Sequence, residues 1–194
     1  MVTRVALPKA TISEERVLLP GCYSWSQFEA IAPSFADILS LRVTYLDGCI
    51  ELMTISEKHE SISSFIGFLL QLYFLEMEIE YEPVGNATRS DRDRKVSFEP
   101  DESYYIGDKG KHPNLAIEVI ITSGTIDKLE KYKRLHIEEV WFWESDRLSV
   151  YRLQGESYQA VDRSQILPDL DIDLLVRCVK MDSRVAAGKA FRSN

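Results

Sequence analysis

The chain has 194 residues and a formal net charge of −8, with 45% hydrophobic and 28% charged residues. These proportions are ordinary for a soluble globular protein, and the length fits a single domain over residues 1–194. No stretch approaches 18 uncharged apolar residues, and the first twenty residues lack a compact apolar segment with a cleavage site. We therefore expect no transmembrane helix and no signal peptide, and the three widely spaced cysteines favour a cytoplasmic location.

The distribution of charge bears on the class of partner. An acidic chain is unlike a general nucleic-acid binder. Residues 85–134, however, carry ten Lys or Arg against nine Asp or Glu, whereas the rest of the chain has thirteen against twenty-two. A locally basic face within an acidic protein is compatible with these counts.

The N-terminal part predicts an irregular extension, a helix and a hairpin. Residues 1–20 form the extension, and a helix follows over 24–40, divided or kinked at Pro33. The dipeptide Asp47-Gly48 separates two strand-like runs and favours a tight type I′ turn. A β-hairpin is therefore predicted over residues 42–53.

A long amphipathic helix is predicted after the hairpin. Ser56 can cap it, and apolar residues recur at three- and four-residue spacing to about residue 76. A strand over 79–84 comes next. Residues 85–95 are polar and rich in Asp and Arg, which predicts an exposed loop.

The second half predicts a further hairpin, a helix and several strands. Extended segments at 96–106 and 114–121 are joined by a short turn, and a helix then starts at Thr125 or Asp127 and ends near residue 136. The remaining predicted elements are strands at 139–143, 148–153 and 158–161 and a terminal helix at about 174–190. Because strands and helices alternate, we predict an α/β or α+β fold with one central sheet.

Glu118 interrupts the most strand-like run of the chain, at residues 115–121. In a strand it shares a face with Ala116 and Ile120, while the alternate residues are all apolar. Burying a carboxylate there is costly unless it is paired or binds a metal. The alternatives are a solvated face or a partner arginine.

Asp101 follows Pro100 in the segment immediately before Glu118's strand. If the two strands pair as a hairpin, the separation of seventeen residues brings the two carboxylates close together. Adjacent carboxylates repel each other unless a cation intervenes. Hard oxygen ligands at an open site suit Mg²⁺ or Mn²⁺.

A basic run starts the helix directly after Glu118's strand. Lys128 lies in the first turn, where the helix dipole disfavours a cation, and adjacent carboxylates and a phosphate would offset this. Lys131 and Lys133 follow on the same helix. The alternative to a role at the site is that they belong to a solvated helical face with ion pairs at three- and four-residue spacing.

Several short motifs occur in an order that resembles a known family. In chain order they are Leu46-Asp47-Gly48, Glu51-Leu52-Met53, His59-Glu60, Pro100-Asp101, Glu118 in its apolar strand, Asp127-Lys128 with Tyr132, and Glu139-Val140-Trp141. This order resembles the Uma-type putative restriction endonuclease family, a branch of the PD-(D/E)XK nucleases. The resemblance implies a restriction-endonuclease-like core over about 24–153, with a central mixed sheet flanked by helices, and C-terminal strands and a helix over 154–194.

The resemblance also implies a site and a chemistry. Asp101, Glu118 and the main-chain carbonyl of Val119 would hold Mg²⁺ or Mn²⁺, and Lys128 would act on the water that attacks a DNA phosphodiester. Glu60 resembles an additional acidic ligand of some relatives, with a surface carboxylate as the alternative reading.

One position departs from the superfamily pattern. The lysine expected two residues after Glu118 is Ile120, and the resemblance suggests that its role has moved to Lys128. If it has not, the site binds metal without turnover. The alternatives to a DNA endonuclease are therefore an inactive or regulatory protein with the nuclease fold, or a phosphodiesterase acting on RNA or a small molecule.

Contacts with DNA are expected on basic residues near the site. The candidates are Arg89, Arg92, Arg94 and Lys131. Aspartates alternate with the arginines, so a solvated loop is the alternative for residues 88–95. A homodimer is also expected, because cutting both DNA strands requires two sites.

Overall fold

The computed structural model describes residues 14–122 and 127–192. The strands are β1 (Arg16–Leu18), β2 (Leu41–Leu46), β3 (Cys49–Thr54), β4 (Tyr81–Pro83), β5 (Arg89–Asp91), β6 (Val96–Phe98), β7 (Glu102–Ile106), β8 (Leu115–Ile120), β9 (Glu139–Glu144), β10 (Arg147–Gln154) and β11 (Ser157–Val161). The α-helices are α1 (Trp25–Ile31), α2 (Glu57–Glu76), α3 (Lys128–Arg134), α4 (Ile172–Val179) and α5 (Arg184–Arg192), and a 3₁₀ helix spans Ala32–Phe35.

The larger sheet is mixed and has six strands. Its order is β11-β10-β9-β8-β7-β4, with β8 and β9 parallel and the other pairs antiparallel. The predicted α+β, restriction-endonuclease-like class with a mixed sheet and flanking helices is confirmed. Helix α2 packs on this sheet, and its Ile66, Leu69 and Leu70 join the buried core together with Ile117 and Trp141.

A second, antiparallel sheet was not predicted. Its order is β1-β3-β2-β6-β5, and it contains the expected hairpin, in which Asp47 and Gly48 both have positive φ. The single strand predicted over 96–106 is in fact two strands, because β6 joins this second sheet and β7 joins the larger one. Pro100 lies at the break, where it cannot donate a ladder hydrogen bond. Asp101 therefore lies where the chain passes from one sheet to the other.

Other differences concern the ends of elements. The helix predicted over 24–40 ends at Ile31, and a 3₁₀ helix that contains Pro33 follows it. The predicted loop over 85–95 contains the short strand β5, and the predicted terminal helix is two helices, α4 and α5. Of the two predicted starts of α3, Asp127 is its N-cap, while Thr125 lies outside the described residues. No helix in the described parts of the chain has the length and apolar content needed to cross a membrane.

Candidate functional site

Asp101 is fully buried between the two sheets, where it accepts two hydrogen bonds and forms an ion pair with a histidine. Its Oδ2 accepts a 2.5 Å hydrogen bond from the backbone N–H of Val119, the residue after Glu118. Its Oδ1 pairs with Arg42 of β2 and lies 2.9 Å from Nε2 of His59 of α2. Burial raises the pKa of Asp101, but His59 and Arg42 outweigh it and lower the pKa to about 2. Asp101 and Glu118 are therefore brought together, and Asp101 is ionised at neutral pH.

Glu118 lies in β8 and is buried, as the sequence suggested it could be. Its Oε1 accepts a 2.7 Å hydrogen bond from Lys131 Nζ and another from the Tyr132 hydroxyl, both on α3. Burial and the Glu118 charge raise the pKa of Tyr132 well above its usual value, so its hydroxyl stays a donor. The Lys131 ammonium also lies 4.7 Å from the centre of the Phe98 ring. Glu118 is thus paired, but with a lysine and not with the arginine considered above.

Lys128 carries the one buried amine at this site for which the described residues provide no hydrogen-bond partner. It lies in the first turn of α3, directly after the Asp127 cap. Burial lowers its pKa, the Glu118 charge opposes this, and the positive charges of Arg16 and Lys131 lower it further. The amine is therefore easier to deprotonate than an exposed lysine and is available to a ligand.

Glu60 stands at the edge of the site. Its carboxylate is half exposed and accepts a 3.2 Å hydrogen bond from Nη2 of Arg42. Arg42 is buried, so it links Glu60 to Asp101 across the gap between α2 and β2. Glu60 is therefore connected to the site through Arg42.

Three further residues belong to the site and were missed as site residues by sequence reasoning. Arg42 lies in a predicted strand, and Glu14 lies in a segment predicted to be irregular. His59 is part of the family pattern, but the pattern assigns it no role at the site. His59 Nδ1 donates a 2.8 Å hydrogen bond to Glu14 Oε2. Burial lowers the pKa of His59, but Asp101 and Glu14 outweigh it and raise the pKa to about 9. Of the three, only His59 had a local signal, because the predicted Ser56 cap places it in the first turn of α2.

The carboxylate oxygens of Glu118 and Asp101 are ligands that fit a small site for a hard divalent ion. Lys131 and Tyr132 both bind Oε1 of Glu118, which leaves Oε2 open to a ligand as far as the described residues go. Oδ2 of Asp101 accepts one hydrogen bond and has a second lone pair. No group of three His, Cys, Asp or Glu side chains in residues 14–122 and 127–192 could hold a metal ion. Two carboxylates fit Mg²⁺, which is usually bound by one or two carboxylates together with waters and substrate phosphate.

The arginines expected to contact DNA lie outside this centre. Arg89 is in β5, Arg92 pairs with Glu29 at 3.7 Å, and Arg94 lies 4.0 Å from Asp91. The fourth candidate, Lys131, is not on the surface, because it is buried against Glu118. The roles of these four residues in binding DNA stay predictions.

The family comparison agrees with this architecture. The family model Uma2, described as "Putative restriction endonuclease", matches residues 25–178, which is most of the chain and includes Asp101, Glu118 and Lys128. Glu14 and Arg16 precede the matched region. No curated protein was found to match the chain significantly. The chain belongs to the Uma2 family, within the restriction-endonuclease-like (PD-(D/E)XK) superfamily of nucleases.

Proposed function

We propose that this protein is a metal-dependent endonuclease that hydrolyses phosphodiester bonds of DNA. The observation that carries the proposal is the pair of buried carboxylates, Asp101 and Glu118, joined through the Val119 amide. Beside them lies the amine of Lys128, which has no hydrogen-bond partner among the described residues. Two buried carboxylates and a lysine supply the ligands and the proton-transfer group that phosphodiester hydrolysis needs.

Asp101 and Glu118 would hold Mg²⁺ or Mn²⁺, with the main-chain carbonyl of Val119 as a third oxygen. The ion, when bound, supplies positive charge that polarises the scissile phosphate and acidifies a water. Lys128 would orient or deprotonate that water and would stabilise negative charge on the phosphate oxygens. Its lowered pKa suits it to exchange a proton near neutral pH better than an exposed lysine would.

The ion pairs favour one other candidate function, a protein that keeps the nuclease fold without catalysis. Arg42 and His59 neutralise Asp101, and Lys131 neutralises Glu118. In such a protein these cations would serve as permanent internal partners in place of a metal. Metal binding and cleavage together separate the two functions, since an endonuclease must bind the ion on these carboxylates and must also hydrolyse DNA.

The test begins with Mn²⁺ binding by calorimetry, followed by cleavage of a supercoiled plasmid. We expect Asp101→Asn and Glu118→Gln to abolish Mn²⁺ binding and to lower the cleavage rate by at least ~100-fold, as loss of transition-state charge stabilisation does. Lys128→Met should lower cleavage similarly while the protein still binds Mn²⁺. Lys133→Met, on the same helix but partly exposed and paired with Glu130, is the matched control and should cleave like the wild type.

Two results would contradict the proposal. A wild-type protein that binds no Mn²⁺ with or without DNA points to the inactive fold. A protein that binds Mn²⁺ and hydrolyses RNA or bis(p-nitrophenyl) phosphate, while plasmid DNA stays intact, points to a different phosphodiester substrate. Size measurement in solution with DNA bound would test whether two copies act together.

A further inference from the structure

Glu14 connects the N-terminal segment to both flanks of the candidate site. Its side chain is fully buried, and its Oε2 accepts the 2.8 Å hydrogen bond from His59 of α2. Its Oε1 accepts hydrogen bonds from Thr122, 2.6 Å from the hydroxyl and 3.1 Å from the backbone N–H. Thr122 follows β8, four residues after Glu118. One carboxylate therefore ties together the helix and the strand that border the site.

His59 continues this connection to Asp101. Its ring is completely buried, and Nε2 lies 2.9 Å from Oδ1 of Asp101, at ion-pair distance but off the line of a well-aligned hydrogen bond. Oδ2 of the same carboxylate accepts the Val119 N–H at 2.5 Å. Buried groups are thus in contact without interruption from Glu14 through His59 and Asp101 to the backbone beside Glu118.

We infer that Glu14 is a positioning residue of the active site, which fixes the imidazole of His59 and through it the carboxylate of Asp101. The inference rests on the proposed function in one respect, namely that Asp101 is a metal ligand. Glu14 precedes the family match, so the N-terminal segment of this chain adds a part to the site that the matched region does not contain.

The physical reason is the freedom of the imidazole ring. Without an acceptor at Nδ1, the ring could rotate, and its contact with Asp101 would no longer be fixed. Partners that hold a metal-ligating group set its orientation, and their loss commonly lowers metal affinity 10- to 100-fold. Arg16 supports Glu14, because its Nη2 lies 3.4 Å from Oε1 and its Nε donates to the Thr122 hydroxyl at 3.3 Å.

The first readout needs neither metal nor activity. The backbone amide of Val119 donates to Asp101, so its proton and nitrogen resonances report the position of that carboxylate. We expect Glu14→Ala to move the Val119 resonances in the direction in which Asp101→Asn moves them. Glu14→Gln keeps an acceptor oxygen of the same reach and should restore much of the wild-type position. The neighbour Glu15, whose side chain is exposed, provides the matched control, and Glu15→Gln should leave Val119 unchanged.

The second readout is Mn²⁺ affinity in a double-mutant cycle. Glu14→Ala should weaken Mn²⁺ binding on the order of tenfold in the wild-type background. The same substitution in a His59→Ala background should have almost no further effect, because Glu14 acts through the imidazole. Thr122→Val removes the hydroxyl that binds Glu14 and Arg16 but keeps the backbone N–H that donates to Glu14, so it should change Mn²⁺ affinity much less than Glu14→Ala.

Failure of this inference can be told from failure of the proposed function. If Val119 does not respond to Glu14→Ala, or if Glu14→Ala and His59→Ala are additive in their effects on Mn²⁺ affinity, Glu14 does not position Asp101. If Val119 responds but the wild type binds no Mn²⁺, the positioning role stands and the metal site does not. Should Glu14→Ala fail to fold, Glu14→Gln and the intermediate variant Glu14→Asp give the same resonance comparison in folded protein.

Discussion

Two buried glutamates on neighbouring parallel strands of the larger sheet have opposite surroundings. Glu139 of β9 is fully buried and is bound mainly by neutral, fixed donors, with Arg152 as its one charged partner. The neutral donors are the Trp141 indole, the Ser164 hydroxyl and the backbone N–H groups of Gln165 and Ile166. Glu118 of β8 is bound by the Lys131 ammonium and the Tyr132 hydroxyl, both on one oxygen.

The difference separates a structural carboxylate from the one that we propose to be reactive. Both oxygens of Glu139 are used, and its donors fasten the segment at Ser164–Ile166 to the sheet. Among residues 14–122 and 127–192, nothing binds the second oxygen of Glu118, and its cationic partner sits on a flexible side chain that a stronger cation could displace. Burial of a carboxylate in a strand therefore does not identify a catalytic site. What distinguishes Glu118 is the nearby second carboxylate of Asp101 and the amine of Lys128, for which the described part of the chain provides no hydrogen-bond partner.

The largest effect on stability is expected at Glu139. Replacing it with alanine removes the acceptor of several buried donors, and we expect the free energy of unfolding to fall by ~4 kcal/mol. Urea unfolding followed by tryptophan fluorescence measures this. The adjacent exposed Glu138→Ala is the control and should change stability by no more than ~0.5 kcal/mol. A loss at Glu139 that is as small as at Glu138 would mean that its hydrogen bonds contribute little to the fold.

The sequence predicted the two acidic residues of the site because each has a local signature. Glu118 interrupts an apolar strand, and Asp101 follows a proline just before the partner strand. Their partners could not be predicted, because the contacts are distant in sequence. Arg42 and Asp101 are 59 residues apart, and Glu14 and His59 are 45 residues apart. In neither pair does the local sequence around one residue predict its contact with the other residue.

The same limit explains the differences in fold. Strand alternation and turn residues predicted the hairpin of β2 and β3 and the pairing of β7 with β8, which are local. Whether residues 96–106 form one strand or two depends on the sheet with which each part pairs. Their sequence predicts an extended backbone in both cases. Pro100 was visible, but a proline alone does not say that the chain changes sheets there.

A smaller effect should appear in the pH dependence of stability. The pKa of His59 is raised from its ordinary value of 6.5 to about 9 by Asp101 and Glu14, after burial has lowered it. A raised pKa means that the native state binds the proton more tightly, so this stabilisation is complete below pH 6.5 and is lost as the pH rises through 9. We expect the free energy of unfolding to decrease by up to ~3 kcal/mol over that range.

The carboxylates around His59 act in the opposite direction at low pH. The pKa of Asp101 and that of Glu14 are both lowered to about 2, so their stabilisation is present above their ordinary values of 3.8 and 4.5 and is lost as the pH falls through 2. Urea unfolding at a series of pH values checks both limbs. His59→Gln should flatten the limb above pH 6.5, whereas the exposed control His136→Asn should keep it. An unchanged slope in His59→Gln would assign the loss of stability to other groups.

The smallest expected effect comes from removing the cation that pairs with each glutamate, Lys131 at Glu118 and Arg152 at Glu139. Lys131→Met leaves Glu118 without its ammonium partner, so Mn²⁺ should bind more tightly, by about tenfold, because one competing charge is gone. The thermal midpoint of this variant should be lower than that of the wild type without metal and should recover when Mn²⁺ is added, since a ligand that binds only the native state stabilises it.

Arg152→Met is the matched change at Glu139, where the other donors fill the carboxylate, so Mn²⁺ should not restore its stability. Weaker Mn²⁺ binding in Lys131→Met would have the opposite meaning. Lys131 would then hold Glu118 in the geometry that binds the ion, and its charge would not compete with the metal. The two outcomes change Mn²⁺ affinity in opposite directions. One calorimetric titration therefore decides whether Lys131 competes with the metal for Glu118 or holds Glu118 in the geometry that binds the metal.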